Sequence, residues 1–110
     1  MKTQLKRIDG TLVDESETLT MSKLVENNKS NLSYANLSGA DLSYANLSGA
    51  NIDYSAWPLW CGSKNVKVDK PIAAQIAMHF CWLDCDDPEV KAAQDAVKPL
   101  AMQCKHWSEK

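Results

Sequence analysis

The sequence predicts an α+β protein: a short solenoid of sharply bent backbone, entered through a β-hairpin and a short helix and left through helices. Three observations lead there. Leu32, Leu37, Leu42, Leu47 and Ile52 recur every five residues. Near the start, Asp9-Gly10 separates two short stretches, Gln4 to Ile8 and Thr11 to Asp14. After Trp57 the chain changes character, and helix-start signals stand at Asp69-Lys70-Pro71 and at Asp87-Pro88-Glu89.

A period of five suits neither regular element. On an α-helix each step of five residues turns about 140°, so the leucines would spiral around the axis instead of forming a stripe. In a strand the side-chain period is two, so an odd repeat sends successive leucines to opposite faces. A chain that bends once per unit brings every leucine back to the same interior, which is a solenoid. Ala or Ser stands two positions before each of these residues, small enough for a narrow interior. The remaining positions are Asn, Asp, Ser, Gly and Tyr, of which the first four favour tight bends.

The units Ala35-Asn36-Leu37-Ser38-Gly39, Ala40-Asp41-Leu42-Ser43-Tyr44, Ala45-Asn46-Leu47-Ser48-Gly49 and Ala50-Asn51-Ile52-Asp53-Tyr54 closely resemble the pentapeptide-repeat family. That resemblance implies a right-handed quadrilateral β-helix with four units to a coil, about one and a half coils here. It places Leu32 under Ile52 and Leu37 under Trp57, with coils about 4.8 Å apart. The last position of the unit alternates Tyr34, Gly39, Tyr44, Gly49, Tyr54. Ten residues being half a coil, Tyr34 and Tyr54 are expected to stack on one wall, with Tyr44 opposite and the glycines on two flat walls.

So few repeats are not stable unaided, and the flanks must complete one core. The expectation is a single domain over 1–110: hairpin and helix cap over 1–29, repeats over 30–57, helical part over 58–110. Asp9-Gly10 reads as the two-residue loop of a β-hairpin. Thr20 can cap a short helix carrying Met21, Leu24 and Val25, which closes the lower end of the solenoid and shields its strand edges. The tryptophan-rich turn Trp57-Pro58-Leu59-Trp60-Cys61-Gly62-Ser63 is expected to cap the upper end, and Val66-Lys67-Val68 to form a short strand. A helix capped by Asp69 runs from Pro71 to about Leu83, apolar nearly all round and therefore expected to be buried. Another, capped by Asp87, runs to about Val97; Pro99 then interrupts or restarts it, and a last helix carries Leu100, Met102, Cys104 and Trp107.

The chain has 110 residues and a formal net charge of -2, too small to promise a nucleic-acid binder. It has no apolar leader at its start and no apolar run long enough for a membrane span, so a cytoplasmic protein without membrane contact is expected. Cys61, Cys81, Cys85 and Cys104 are then expected as reduced thiols. A zinc site can be drawn from Cys81, Cys85, Cys104 and His106. The cysteines sit among apolar residues, however, and lack the close loop pairs of structural sites, so no metal and no cofactor is assigned. His79 lies within an apolar helix and reads as a core histidine. No nucleophile with an orienting partner and oxyanion loop is apparent, which argues against an enzyme.

The hairpin before the repeats and the Trp-Pro-Leu-Trp-Cys-Gly segment with helices after them resemble small pentapeptide-repeat proteins of phages and prophages. The function expected from size, mild acidity and that resemblance is non-enzymatic protein binding. Its form would be phage inhibition of a bacterial defence complex such as CRISPR-Cas (an anti-CRISPR), inside the host cytoplasm, with a bacterial protein or nucleoprotein complex as partner. The candidate contact residues are Tyr34, Tyr44, Tyr54 and Asp41 on the repeats and Asp84 and Asp86 in an acidic loop. One alternative, implied by the resemblance, is a DNA-mimicking binder of the topoisomerase gyrase, although only Asp41 and Asp53 decorate the array. Another is a small-molecule or metal-binding module with a pocket between the solenoid end and the group Trp57, Trp60 and Trp82.

Overall fold

The computed structural model describes residues 2–108. Its elements are β1 (Thr3–Lys6), β2 (Leu12–Ser16), α1 (Met21–Glu26), α2 (Lys70–Cys81) and α3 (Pro88–Ala101), with 3-10 turns at Lys29–Asn31 and Cys61–Ser63. The mixed α+β content agrees with the sequence expectation. Internal contacts divide the chain into two units that meet in sequence between Val68 and Asp69.

In the first unit β1 and β2 pair antiparallel, Thr3 opposite Ser16 and Leu5 opposite Asp14; the register then shifts so that Lys6 faces Leu12. Val13 is the extra residue, a β-bulge, which strengthens local twist. The loop is not the expected two-residue turn. Arg7 N donates to Thr11 O at 2.8 Å and Gly10 N to Arg7 O at 2.9 Å, leaving Ile8, Asp9 and Gly10 between the paired residues. Gly10 takes φ +90°, as the third residue of such a three-residue loop requires. Asp9 fastens the bend by accepting from Thr11 N at 2.9 Å and Thr11 Oγ1 at 2.7 Å. Leu5, fully buried, anchors the hairpin.

Thr20 caps α1, accepting from Lys23 N at 3.3 Å, and Leu24 and Val25 form its buried face. A six-residue helix is not stable by its own hydrogen bonds, so packing and side-chain contacts hold it. Asn28 Nδ2 donates to Asp14 Oδ2 at 2.9 Å and to Leu24 O at 2.8 Å, joining β2 to the helix end.

Leu32, Leu37, Leu42 and Leu47 are completely buried, and Ile52 nearly so, as the five-residue spacing predicts. Between Leu32 and Val68 the chain has no strand of its own; it runs through turns and isolated bridges. Hydrogen bonds join residues about twenty apart: Leu37 N to Ala56 O at 2.8 Å, Leu42 N to Gly62 O at 2.7 Å, and Leu47 N to Lys67 O at 2.8 Å. The bridges Asn36–Ala56 and Asn46–Lys67 are parallel. The expected strand at Val66-Lys67-Val68 is reduced to that one bridge at Lys67. Trp57, expected inside, is half-buried, and Pro58 beside it is fully buried.

The N-terminal pieces occupy the amides along the first edge of this stretch. Asn36 N donates to Lys6 O at 2.8 Å, Asn46 N to the Glu26 carboxylate at 3.0 Å, and Asn51 N to Lys29 O at 2.8 Å. Ser22 Oγ donates to Asp41 O at 3.0 Å. An exposed ladder edge invites pairing with another chain; here hairpin, helix and 3-10 turn each cover part of it.

In the second unit Asp69 caps α2, accepting from Ile72 N at 3.3 Å, with Pro71 in the first turn. Only Ile72, Ala74 and Met78 of α2 are buried, while Ile76 and His79 are exposed. The expectation of a helix buried all round is corrected: Ala74 and Met78, four apart, share one face on which Ala77 and Cys81 also pack, while Ile72 is buried off that face. Asp87 caps α3, accepting from Glu89 N at 2.9 Å and Val90 N at 3.3 Å. Pro99 does not interrupt this helix. It lies near the C-terminal end, where its missing N–H removes a single intrahelical bond. The expected last helix is absent as well; from Met102 the chain makes successive turns, with Cys104 N bonded to Ala101 O and Trp107 N to Cys104 O, each at 3.0 Å. Ala74, Met78, Ala101 and Cys104 form the core of this unit, with Ala77, Cys81, Trp82, Leu100 and Trp107 packed against it. No helix among the described residues is long and apolar enough to cross a membrane.

Candidate functional site

Each repeat unit ends in the same hydrogen-bonded turn. Ala35 N donates to Leu32 O, Ala40 N to Leu37 O, Ala45 N to Leu42 O and Ala50 N to Leu47 O, at 2.9 to 3.0 Å. The polar residue before each Leu locks the bend from outside: Asn36 Oδ1 accepts from Ser38 N at 3.3 Å, Asp41 Oδ1 from Ser43 N at 3.1 Å, Asn46 Oδ1 from Ser48 N at 3.1 Å, and Asn51 Oδ1 from Asp53 N at 3.1 Å. Asp41 is therefore the turn-fastening residue of its unit. The Ser43 hydroxyl and then the Ser43 amide hold its carboxyl below the usual aspartate range, and its side chain remains at the surface.

The third residue of these turns is where positive φ is required in a type II turn. Gly49 occupies it with φ +82°, and Tyr34, Tyr44 and Tyr54 occupy it with φ 61°, 64° and 61°. Gly39 does not adopt positive φ. A bulky residue in the left-handed region costs about 1 kcal/mol or more relative to glycine. Burial does not offset this, because the three tyrosines are 53%, 77% and 63% exposed. Tyr34 and Tyr54 do stack, with ring centroids 5.0 Å apart and planes 17° apart, as the twenty-residue spacing predicts. Tyr44 has neither ring partner nor side-chain hydrogen bond among the described residues. A Cβ at Gly39 or Gly49 would meet nothing within 4 Å, so both glycines border open space.

Asp84 and Asp86 lie in the second unit, in the exposed segment between α2 and α3; Asp86 is 4.0 Å from Lys91 Nζ. The neighbouring Asp87 is occupied as the α3 cap. The sequence-predicted residues therefore fall into two groups, tyrosines and Asp41 on the repeats and two aspartates on the helical unit.

Among the described residues no three of His, Cys, Asp and Glu are gathered so as to hold a metal ion. The quartet Cys81, Cys85, Cys104 and His106 does not form such a group; Cys104 is buried in the core cluster, and Cys81 donates its thiol to Gln94 O at 3.5 Å. All four cysteines are free thiols. His79 is on the surface, edge-on to Trp82 with ring centroids 5.4 Å apart, and is not the core histidine expected.

A cleft of about 220 Å³ opens in the second unit, with Trp82 and Trp107 in its wall and Gln94, Asp95 and Lys98 from α3. Of the tryptophans expected to mark a pocket, Trp82 is there. The α3 residues and Trp107 carry no local signal of a site in the sequence, since Trp82 and Trp107 are brought together only by the reversal of the chain after α2.

The family profile described as Pentapeptide repeats matches residues 28–55 in eight copies. No curated protein matches the chain, and no solved structure does.

Proposed function

We propose that this chain, whose residues 28–55 match the pentapeptide-repeat profile, acts by protein binding and not by catalysis, with its repeat segment a short right-handed β-helix that presents tyrosines to a partner. The β-helix reading is supported by parallel bridges and by hydrogen bonds between residues about twenty apart, the length of a four-unit coil. The binding reading rests on one observation: Tyr34, Tyr44 and Tyr54 stand exposed in a backbone conformation that favours glycine. Strained residues concentrate at functional positions, and exposed tyrosines are the kind of side chain that dominates interfaces. Tyr44 carries the point furthest, because among the described residues its side chain has neither a ring partner nor a hydrogen bond to repay its conformation.

The narrower identity, a phage-encoded inhibitor of a bacterial defence complex, draws support only from the resemblance of the flanking segments. A gyrase binder imitating DNA is disfavoured by Asp41 being engaged with Ser43. The experiment is retention of host proteins from nuclease-treated bacterial lysate on the immobilised protein and on a Tyr34→Gly, Tyr44→Gly, Tyr54→Gly variant. Glycine keeps the turns, so the variant is expected to fold and to lose the retained complex. Equal retention by both proteins would remove the tyrosines from the interface, and retention of gyrase would revive the alternative.

A further inference from the structure

The cleft in the second unit has a chemical character of its own. Gln94 reaches the end of α2 and donates through Nε2 to Phe80 O and to Leu83 O, each at 2.9 Å. A primary amide has two N–H donors and one carbonyl acceptor, so both donors are committed and Oε1 is left as an acceptor on a side chain that two bonds hold still. Asp95, also in the wall, is exposed and has no ion pair within 4.0 Å among the described residues. The α3 side of the cleft therefore offers an amide oxygen and a carboxylate.

Trp82 and Trp107 line the cleft as well, and an indole is a flat, largely apolar ring. Acceptors select a ligand with N–H donors, and indoles select a planar ring. Asp95 and Lys98 both line this space, so its formal charges balance and neither a cation nor an anion is favoured overall; the ligand that fits is neutral. At about 220 Å³ the space lies below the range of pockets that enclose drug-sized molecules, roughly 300 to 1,000 Å³. One fused ring system fits that scale better than an extended molecule.

We propose that this cleft binds a neutral, planar heteroaromatic molecule with an N–H donor edge, of the chemical class of a guanine base. The ring lies against the indoles. A ring N–H and an adjacent exocyclic amine donate side by side to Asp95, whose two oxygens accept such a pair, and Gln94 Oε1 accepts a further N–H. This site is separate from the tyrosine turns and does not rest on the protein-binding reading.

The test is titration of the full-length protein, labelled with nitrogen-15, with guanosine. The four tryptophan side-chain N–H signals are followed by NMR after assignment. Caffeine is the matched probe, a purine skeleton without any N–H donor. Guanosine is expected to move the Trp82 and Trp107 signals saturably, with Kd on the order of 0.1 mM, ordinary for so small a ligand. Caffeine is expected to bind at least about 10-fold more weakly, since bonds to a charged acceptor are lost. Asp95→Ala should weaken guanosine by a similar factor; Asp95 is exposed on α3, and an unchanged Tm verifies folding. The proposal is overturned if millimolar guanosine moves neither signal, if all four signals drift without saturation, if caffeine binds as well, or if Asp95→Ala binds guanosine unchanged.

Discussion

Tyr44 and Gly62 make opposite demands on the backbone at single positions. At Tyr44 the side chain is free and the backbone is strained. Replacement by glycine relieves the left-handed conformation and loosens the unfolded chain, two effects of similar size and opposite sign. Tyr44→Gly is therefore expected to leave stability unchanged or raised by up to about 1 kcal/mol in urea denaturation. Tyr44→Val, β-branched at positive φ, should lower it. At Gly62 the backbone is unstrained and the space is missing: a Cβ would stand 2.5 Å from Ala40 O and 2.6 Å from the Trp60 ring. The carbonyl belongs to the backbone and cannot rotate away. Gly62→Ala should cost about 1 to 3 kcal/mol, and a melting temperature equal to that of the parent protein would refute the close approach.

At the level of elements, α1 is a six-residue helix whose last side chain completes a hydrogen bond outside it. The Asn46 amide is the main cause of the low pKa of Glu26, helped by Lys23 and opposed by partial burial; the carboxyl ends below its ordinary value of 4.5. A carboxylate with a folded-state pKa below its unfolded one contributes stability above the unfolded value and loses it as pH falls through the folded value. Stability of the parent protein should thus decline below about pH 4.5. In Glu26→Gln that decline should be shallower, from a lower starting stability near pH 7. Parallel pH profiles for the two proteins, measured by chemical denaturation, would show that the contact is not made. In the second unit, Asp87→Ala removes the cap of α3 and should cost about 1 kcal/mol.

These elements also show what sequence reading captures. Thr20, Asp69 and Asp87 are recognisable because capping is settled within three residues, and the five-residue leucine period fixes an interior regardless of the rest. Signals that depend on context fail. Pro99 suggests a break, yet only two residues of α3 follow it, so little helix is left to break. Asp9-Gly10 suggests the shortest loop, yet the side chain of Asp9 binds Thr11 and makes room for three residues. The apolar composition of α2 suggests full burial, which a 42-residue unit from Asp69 onward has too little partner surface to supply. Of the cleft residues only Trp82 was legible; Asp95 and Trp107 are ordinary helix and turn residues until the chain folds back.

For the molecule as a whole, a net charge of -2 leaves little long-range field. On the proposed protein-binding function, recognition should therefore depend on shape and aromatic contact at short range. Binding of the retained partner is expected to change less than about 10-fold between 0.05 and 0.5 M salt, in contrast to the steep salt dependence of a phosphate mimic or binder. A steep loss would point to the exposed aspartates instead of the tyrosines. The amides along the first edge of the repeats bear on size as well as stability. Lys6, Glu26 and Lys29 each meet a particular one of them. In the β-helix proposed above, with four units to a coil, inserting twenty residues behind that edge would return every side of the array to its former orientation, whereas inserting five or ten would rotate the later units by a quarter or a half turn. On that proposed geometry the length of such a protein is quantised: whole coils can be added or discarded while the closing segment stays as it is, and intermediate lengths require that segment to be rebuilt.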